Sequence, residues 1–307
     1  MNNAMNDTVV VSMHDVVRSF GTVRAVDHFS LQVKRGEIYG LIGPDGAGKT
    51  TIMRLLSGAL EADQGSIHVT GLDVNKEADR IKERIGYMPQ LYGLYSDLTV
   101  YENLVFFLKL FGVDPKLREP RIIQLLEFVR LNEFKDRRAG ALSGGMYKKL
   151  AIACSILHRP DVLLLDEPTN GVDPVSRRDL WALLFSLVED GVSVLVSTPY
   201  MDEAERCHRV GLVYDGALLR QGSPSKLLDE LQGRVFVKET EHATDELPDL
   251  RSHLPKDTIT AIAQGGIRIV LPTRQASQSY RFKEVNPTIE DLLIVLQNQK
   301  ENEKQRV

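Results

Sequence analysis

The sequence predicts an α/β protein with a mixed, mostly parallel core sheet, an N-terminal antiparallel β-subdomain, a helical subdomain and a small α+β C-terminal domain. Apolar segments of strand length alternate with segments of helical periodicity over most of the chain. Residues 8–35 alternate apolar and polar side chains. After about residue 232 the sequence changes to a series of short strand patterns. The 307 residues, 43% hydrophobic and 26% charged, fit an ordinary globular protein of one large or two modest domains.

The elements of the larger part follow in order. Residues 8–35 predict short antiparallel strands punctuated by Gly21, EIYGLI predicts a buried strand, and TTIMRLLSGAL predicts a helix ending at Gly58. Further strands are predicted at SIHVTG, RIGYMP, VLLLDEP, SVLVST and RVGLVYDG. Helices are predicted at TVYENLVFFLKLFG, EPRIIQLLEFVRL and SGGMYKKLAIACSIL. These helices, between residues 99 and 157, are too many for one crossover, so we expect them to form a helical subdomain.

The last quarter of the chain predicts a separate domain. Short strands are predicted at RVFVKE, TITAIA, IRIVLP and YRFKEV. PTIEDLLIVLQNQ predicts a closing helix with Pro287 near its start, and KENEKQRV predicts a solvated tail. We therefore expect one domain over residues 1–231 and a small accessory α+β domain over residues 232–307. The second domain has no pattern of acids, histidines or glycines that suggests catalysis. We therefore expect it to have a regulatory or docking role.

Composition excludes several classes of function. A net charge of −4 and a pI near 6.0 indicate no excess of positive charge for binding nucleic acid. Cys154 and Cys207 lie far apart in helical patterns, which favours a reducing, cytoplasmic compartment over a disulfide framework. The N-terminus is a poor secretory signal. The longest apolar stretch, LVFFLKLFGV at residues 104–113, contains Lys109 and is shorter than the about 20 residues that span a bilayer. A membrane protein remains a possible partner.

A glycine-rich loop, GPDGAGKTT at residues 43–51, lies between a predicted strand and a predicted helix. Gly43, Gly48, Lys49 and Thr50 match G-x-x-x-x-G-K-[ST]. The other loop residues are Pro44, Asp45, Gly46, Ala47 and Thr51. Backbone N–H groups of such a loop wrap phosphates, the lysine reaches the terminal phosphates, and the hydroxyl meets Mg²⁺. The loop predicts nucleotide binding.

An acidic pair follows the apolar strand VLLLDEP. Acids often follow strands in surface turns, so Asp166 and Glu167 alone say little. Beside a phosphate loop, Asp166 is the expected Mg²⁺ partner, and Glu167 is the expected base that orients or deprotonates the attacking water.

The segment LSGGM, upstream of this pair, is more specific. Ser143, Gly144 and Gly145 could form only a turn and an N-cap. In this order of motifs they resemble the signature sequence of ATP-binding cassette (ABC) ATPases. The resemblance extends to Gln90 of YMPQ as the Q-loop, to GVDP as the D-loop and to STPYMDEAE as the switch region. It covers roughly residues 8–225 and implies the P-loop NTPase fold of ABC ATPases.

The resemblance implies roles for individual residues. The donors of Ser143, Gly144 and Gly145 would face the γ-phosphate held by a partner's loop, so a second ABC ATPase module, identical or different, is implied. Gln90 would touch Mg²⁺ or the attacking water, which makes Glu167 and Gln90 the catalytic candidates. The implied Mg²⁺ residues are Thr50, Gln90 and Asp166. Two departures from the family are Asp45 in place of asparagine and Met146 in place of glutamine.

Phe20, just before Gly21, resembles the aromatic residue that stacks on adenine in ABC ATPases. The alternative is an ordinary buried phenylalanine of a sheet.

GPDGAGKTT, LSGGM, SRRDLW and the C-terminal NPTIEDLLIVL resemble the ATPase subunits of ABC-2-type exporters, which include multidrug and antibiotic efflux systems. That group implies ATP-driven export through separate membrane permease subunits, with this chain peripheral on the cytoplasmic face of the inner (plasma) membrane. One alternative is a soluble ABC ATPase acting on ribosomes or DNA, which would usually carry two cassettes or a long coiled coil. A signalling GTPase would need an N-K-x-D motif, which the chain lacks.

Pro199 occupies the position at which the family carries the switch histidine. Proline offers no side-chain donor, and His208 is not spaced to replace it. The resemblance therefore implies an ATP hydrolase that binds ATP well but turns it over slowly. An alternative reason for the proline is local geometry, because proline suits the first turn of a helix beginning in MDEAERC.

Overall fold

The computed structural model describes residues 8–91, 93–263, 265–274 and 282–305. The chain divides into two compact units, Met1–Leu218 and Leu219–Val307. This division lies before the predicted domain boundary after residue 231, which stays a prediction.

Strands and helices alternate along the chain up to residue 222, as the sequence predicts. In chain order they are β1 (Val9–Phe20), β2 (Val23–Lys34), β3 (Ile38–Ile42), α1 (Lys49–Leu56), β4 (Gln64–Val69), β5 (Leu72–Asp73), α2 (Ala78–Lys82), β6 (Ile85–Met88), α3 (Val100–Leu110), α4 (Pro115–Val129), α5 (Gly144–Ser155), β7 (Val162–Asp166), α6 (Pro174–Glu189), β8 (Ser193–Thr198), β9 (Arg209–Tyr214) and β10 (Ala217–Gly222). The sequence did not reveal α2, because a five-residue helix is too short to show helical periodicity.

The N-terminal strands form an antiparallel sheet in the order β2-β1-β4-β5. β1 and β2 form a hairpin that turns at Gly21, whose φ of +59° suits glycine. Val16 pairs with Phe29 across the hairpin, and both side chains are fully buried. The predicted antiparallel strands over residues 8–35 are confirmed. The strand predicted at SIHVTG belongs to this sheet as β4.

The core sheet has the order β10-β9-β3-β8-β7-β6, and its strands from β9 to β6 pair in parallel. Every residue of β3, β7 and β8 is buried, as expected for strands covered on both faces. Ile42 pairs with Thr198, and Asp166 pairs with Ser197. The carboxyl ends of β3, β7 and β8 therefore lie side by side, which is where α/β sheets place their ligands.

The helices α3, α4 and α5 contact one another and form the predicted helical subdomain. Thr99 and Glu102 form a capping box at the start of α3, and Asp114 caps α4. Ser143 caps α5, so the LSGGM segment is the beginning of a twelve-residue helix.

The second unit contains α7 (Pro224–Leu228), β11 (Val235–Glu239), α8 (Ala243–His253), β12 (Ile259–Ala263), β13 (Gly266–Val270), β14 (Lys283–Glu284) and α9 (Ile289–Gln305). Its sheet has the order β12-β13-β11-β14, and Phe236, Ile267 and Ile269 lie in its core. α8 was not expected, since Pro248 lies inside it. The strand predicted at YRFKEV lies partly outside the described residues. The solvated tail was predicted to begin at residue 300. Residues 301–304 are exposed, as predicted, but the closing helix does not end before them, because α9 continues to Gln305.

A buried ion pair fixes the start of α9. Arg268 Nε and Nη2 donate to the two carboxylate oxygens of Asp291, each at 2.6 Å, and Asp291 is 4% exposed. The Thr288 backbone N–H also donates to Asp291, and the Asp291 N–H donates back to the Thr288 hydroxyl. Among the described residues, none of the helices combines the length and apolar character that crossing a bilayer requires.

Candidate functional site

The glycine-rich loop joins β3 to α1 at the carboxyl edge of the core sheet. Gly46 and Gly48 have φ of +79° and +100°, and a Cβ at Gly48 would overlap the carbonyl oxygen of Ala25. Only glycine fits that position. Gly48 occupies the N-cap position of α1, and among the described residues no side chain caps the first N–H groups of this helix. Such a helix start favours an anion.

Lys49 holds its charge inside this loop and is 4% exposed. Its Nζ donates to the carbonyl oxygens of Gly43 and Pro44 at 2.8 and 2.9 Å, and it lies 3.7 Å from Glu167 Oε1. Burial lowers the pKa of Lys49, and the carboxylates of Glu167, Asp45 and Asp166 oppose that shift. The ammonium is thus held beside the place where the loop would wrap a phosphate.

The acidic pair ends β7 beside this lysine. Asp166 is fully buried, and the Ser197 hydroxyl donates to its Oδ1 at 2.6 Å. Its Oδ2 is buried and has no hydrogen-bond partner among the residues that the structure describes. A buried carboxylate oxygen needs a partner, and a hard cation such as Mg²⁺ would supply one. Thr50, in the first turn of α1, carries a hydroxyl oxygen and Gln90 an amide oxygen, which are atoms that Mg²⁺ can bind. The residues therefore fit Mg²⁺, which typically uses one or two carboxylates together with substrate phosphates.

Glu167 has a left-handed backbone with φ of +50°, which is uncommon for a residue other than glycine. Its N–H donates to the hydroxyl and carbonyl oxygens of Ser197 at 3.1 and 3.2 Å. Gln90 Nε2 and Asn170 Nδ2 donate to Glu167 Oε2 at 2.8 and 3.2 Å. Strained residues held by such contacts cluster at functional sites. The structure thus brings Lys49, Gln90 and Glu167 together, although their roles stay predictions.

The signature residues Ser143, Gly144 and Gly145 lie at the start of α5. Ser143 is exposed, and its hydroxyl accepts from the Met146 N–H at 3.3 Å. A Cβ at Gly145 would overlap the Ser176 hydroxyl of α6, so close helix packing requires glycine there. In the part of the chain that the structure describes, no hydrogen bond joins Ser143, Gly144 or Gly145 to residues 43–51.

Phe20 lies at the end of β1 and is 47% exposed, so it is not the ordinary buried phenylalanine of the alternative interpretation. The Arg18 guanidinium lies over its ring at 4.9 Å from the centroid. Adenine stacking on Phe20 stays a prediction.

Pro199 follows β8 directly, next to the acidic pair. The short 3₁₀ helix Met201–Arg206 is capped by Tyr200, so Pro199 precedes the cap and lies outside the first helical turn. The helix expected in MDEAERC is present, but Pro199 does not lie in its first turn, and the reason for the proline stays a prediction. His208 Nδ1 accepts from the Ile38 N–H at 3.0 Å, so this ring nitrogen is already hydrogen-bonded to the backbone of β3.

Sequence reasoning missed three residues of this site. Ser197 holds both Asp166 and Glu167, and Asn170 holds Glu167. The half-buried Lys148 of α5 lies within electrostatic reach of both acids: burial lowers the pKa of Lys148, and the Glu167 and Asp166 carboxylates oppose that shift. Only Ser197 had a signal, since a polar residue at the end of an apolar strand would face the neighbouring strand's acid in a parallel sheet.

The chain is similar in sequence to known proteins. The ABC transporter family model matches residues 26–170. The chain is 41% identical over 288 residues to the probable multidrug ABC transporter ATP-binding protein YbhF of Escherichia coli (strain K12), covering 93% of this chain and 50% of that protein. It is 39% identical over 251 residues to Nod factor export ATP-binding protein I of Ralstonia nicotianae, covering 81% of this chain and 77% of that protein. The chain thus spans about half the length of the first relative.

Solved structures agree with the fold prediction. The structure of cbiO1 from Clostridium perfringens, part of the ABC transporter complex cbiONQ, matches with a TM-score of 0.68 and 25% identity, covering 73% of this chain and 92% of that one. A dimeric post-hydrolysis ATP-binding cassette bound to ADP and Pi matches with a TM-score of 0.63 and 26% identity, covering 69% and 98%. The predicted ABC ATPase fold is confirmed, and the chain belongs to the ABC transporter family as an ATP-binding cassette.

Proposed function

We propose that this chain is the ATPase subunit of an ABC exporter and that it drives export through separate membrane permease subunits. The observation that carries the proposal is the meeting of Lys49, Gln90, Asp166 and Glu167 at the carboxyl edge of the core sheet. The names of the relatives, multidrug transport and Nod factor export, support export as the process. They do not name a process on ribosomes or DNA. A cytoplasmic, peripheral position at the inner membrane follows from the same proposal.

Different residues of the site bind the phosphates, bind Mg²⁺ and activate the attacking water. The N–H groups at the start of α1 and Lys49 bind the phosphates, and Thr50, Gln90 and Asp166 would hold Mg²⁺, which neutralises phosphate charge when bound. Glu167 orients or deprotonates the attacking water, and Gln90 holds its carboxylate. Because Pro199 supplies no donor, we propose slow turnover.

The second module is part of this proposal. Ser143, Gly144 and Gly145 begin a helix, and Ser143 and Gly144 are exposed, so the helix start offers donors to a phosphate held by another cassette. The similar cassette with ADP and Pi is dimeric. Binding of ATP between two cassettes would close them, and hydrolysis would reopen them.

Membrane recruitment tests the export proposal. We expect the chain to sediment with membranes when a candidate permease is co-expressed and to stay in the supernatant without it. The control is the same host carrying an unrelated membrane protein at equal expression. Sedimentation that does not depend on the permease, or none with any permease encoded beside this chain, contradicts the proposal.

Removal of residues 232–307 tests whether the second domain is needed for ATP binding. We expect the shortened chain to bind ATP with unchanged affinity, because the loop and acidic pair lie before residue 219. Leu227 and Leu231 are buried in the full chain, and α7 contacts α9, which the truncation removes, so a second variant ending at Gly222 serves as the control for solubility. Fluorescent-nucleotide titration measures the affinity. Loss of ATP binding in folded forms of both variants would contradict an accessory role.

A further inference from the structure

Glu203 is a fully buried carboxylate in the segment that follows Pro199. Thr169 Oγ1 donates to its Oε2 at 3.0 Å, and Trp181 Nε1 donates to its Oε1 at 3.3 Å. The Arg177 Nε lies 3.6 Å from the same Oε1. We call these four residues, Thr169, Arg177, Trp181 and Glu203, the Glu203 cluster. A buried carboxylate with partners at both oxygens is held in one geometry.

The partners come from different parts of the chain. Thr169 belongs to residues 166–173, which we call the base segment because it contains Glu167. Arg177 and Trp181 belong to α6. Glu203 itself belongs to residues 199–206, which we call the switch segment. Its carboxylate therefore joins the switch segment both to the base segment and to α6, which follows the base segment directly in the chain.

A second set of contacts joins the same two segments nearer the acidic pair. The Tyr200 hydroxyl donates to Asn170 Oδ1 at 3.5 Å, and Asn170 Nδ2 donates to Glu167 Oε2. The Arg177 guanidinium lies over the Tyr200 ring at 4.3 Å from the centroid. Arg177 thus contacts both Glu203 and Tyr200, and a shift of the switch segment would be passed through Asn170 to Glu167.

From this geometry we infer that Glu203 is a positioning residue: it fixes the switch segment to the base segment and so sets the place of Glu167. The inference deepens the proposed function and rests on it. Glu203 itself is fully buried, so it acts through Thr169 and not on the substrate. A misplacement of about 1 Å at a reacting group costs about a hundredfold in rate, which makes such positioning kinetically visible.

Three substitutions test the inference. Thr169→Val keeps the side-chain shape and the Glu203–Arg177 pair but removes the hydroxyl donor. Glu203→Gln removes the charge. Glu205→Gln is the matched control, because Glu205 is exposed in the same segment and has no ion pair among the described residues. We expect Thr169→Val and Glu203→Gln to lower kcat about tenfold to a hundredfold, with the Kd for ATP changed less than about twofold. Glu205→Gln should match the parent.

Two readouts separate positioning from folding. Turnover is counted per ATP-binding site, so an unfolded fraction does not lower kcat. Trp181 is the chain's only tryptophan, so its emission reports on the cluster directly. A non-hydrolysable ATP analogue should shift this emission in the parent and in Glu205→Gln. The shift should be lost in Thr169→Val, although that variant keeps the Trp181–Glu203 contact.

The outcomes are distinct. A parent that binds no ATP overturns the proposed function and this inference with it. A parent that hydrolyses ATP, while Thr169→Val and Glu203→Gln turn over like Glu205→Gln, overturns the inference alone. An analogue-induced emission shift that persists in Thr169→Val also overturns it.

Discussion

A Lys49→Ala variant is expected to lose tight ATP binding, whereas Glu167→Gln is expected to keep it and to accumulate an ATP-bound dimer. Removing one partner of a buried charge pair costs about 2 to 5 kcal/mol, so we expect the affinity of Lys49→Ala to fall about thirtyfold to several thousandfold. The glutamine keeps an oxygen that can accept from Gln90 but cannot act as a base. ATP should then hold two cassettes together without being hydrolysed.

Nucleotide titration and sizing chromatography measure these effects. Asp45→Asn provides a control, because it removes a carboxylate from the same loop and leaves Lys49 in place. We expect this control to bind ATP normally. A Glu167→Gln protein that stays monomeric with ATP, even when a partner cassette is supplied, would refute the proposal that two modules share the nucleotide.

A Pro199→His variant is expected to hydrolyse ATP faster than the parent. Residue 199 follows β8, whose Ser197 pairs with Asp166, so an added imidazole would lie at the edge that carries Glu167. One preorganised contact to the transition state is worth a factor of about 10² to 10³ in rate. ATP binding, which depends on the loop, should change little.

Steady-state ATPase assays of the protein alone and with a partner cassette measure this gain. Pro199→Ala is the matched control, since it removes the ring constraint without adding a donor. The idea of a weakened site is wrong if the parent already turns over rapidly as a homodimer and the histidine and alanine variants behave alike.

The residues that the sequence could predict belong to short contiguous motifs. Lys49 lies in a glycine loop, and Asp166 and Glu167 end an apolar strand. Strand ends of a parallel sheet share one edge, so local patterns were sufficient to expect these side chains together. Gln90 was expected only from the family resemblance, and the structure places its amide on Glu167.

The residues that the sequence did not reveal depend on contacts between distant segments. Ser197 meets Asp166 only because β7 and β8 pair in one particular register. No local pattern marks Glu203 as buried, because its burial depends on how α6 packs against it. The course of α9 beyond residue 300 was missed for another reason: its last turns are polar and carry no apolar periodicity.

Because the backbone of Glu167 is left-handed, stability and ATP turnover favour different residues at this position. A non-glycine residue in that conformation costs about 1 to 3 kcal/mol, and glycine or asparagine would relieve part of this cost. Turnover requires the carboxylate. A library screened only for resistance to heat would therefore tend to replace residue 167 and lose hydrolysis, whereas a screen for turnover would retain the strain. Engineering of this cassette for stability should leave residue 167 unchanged.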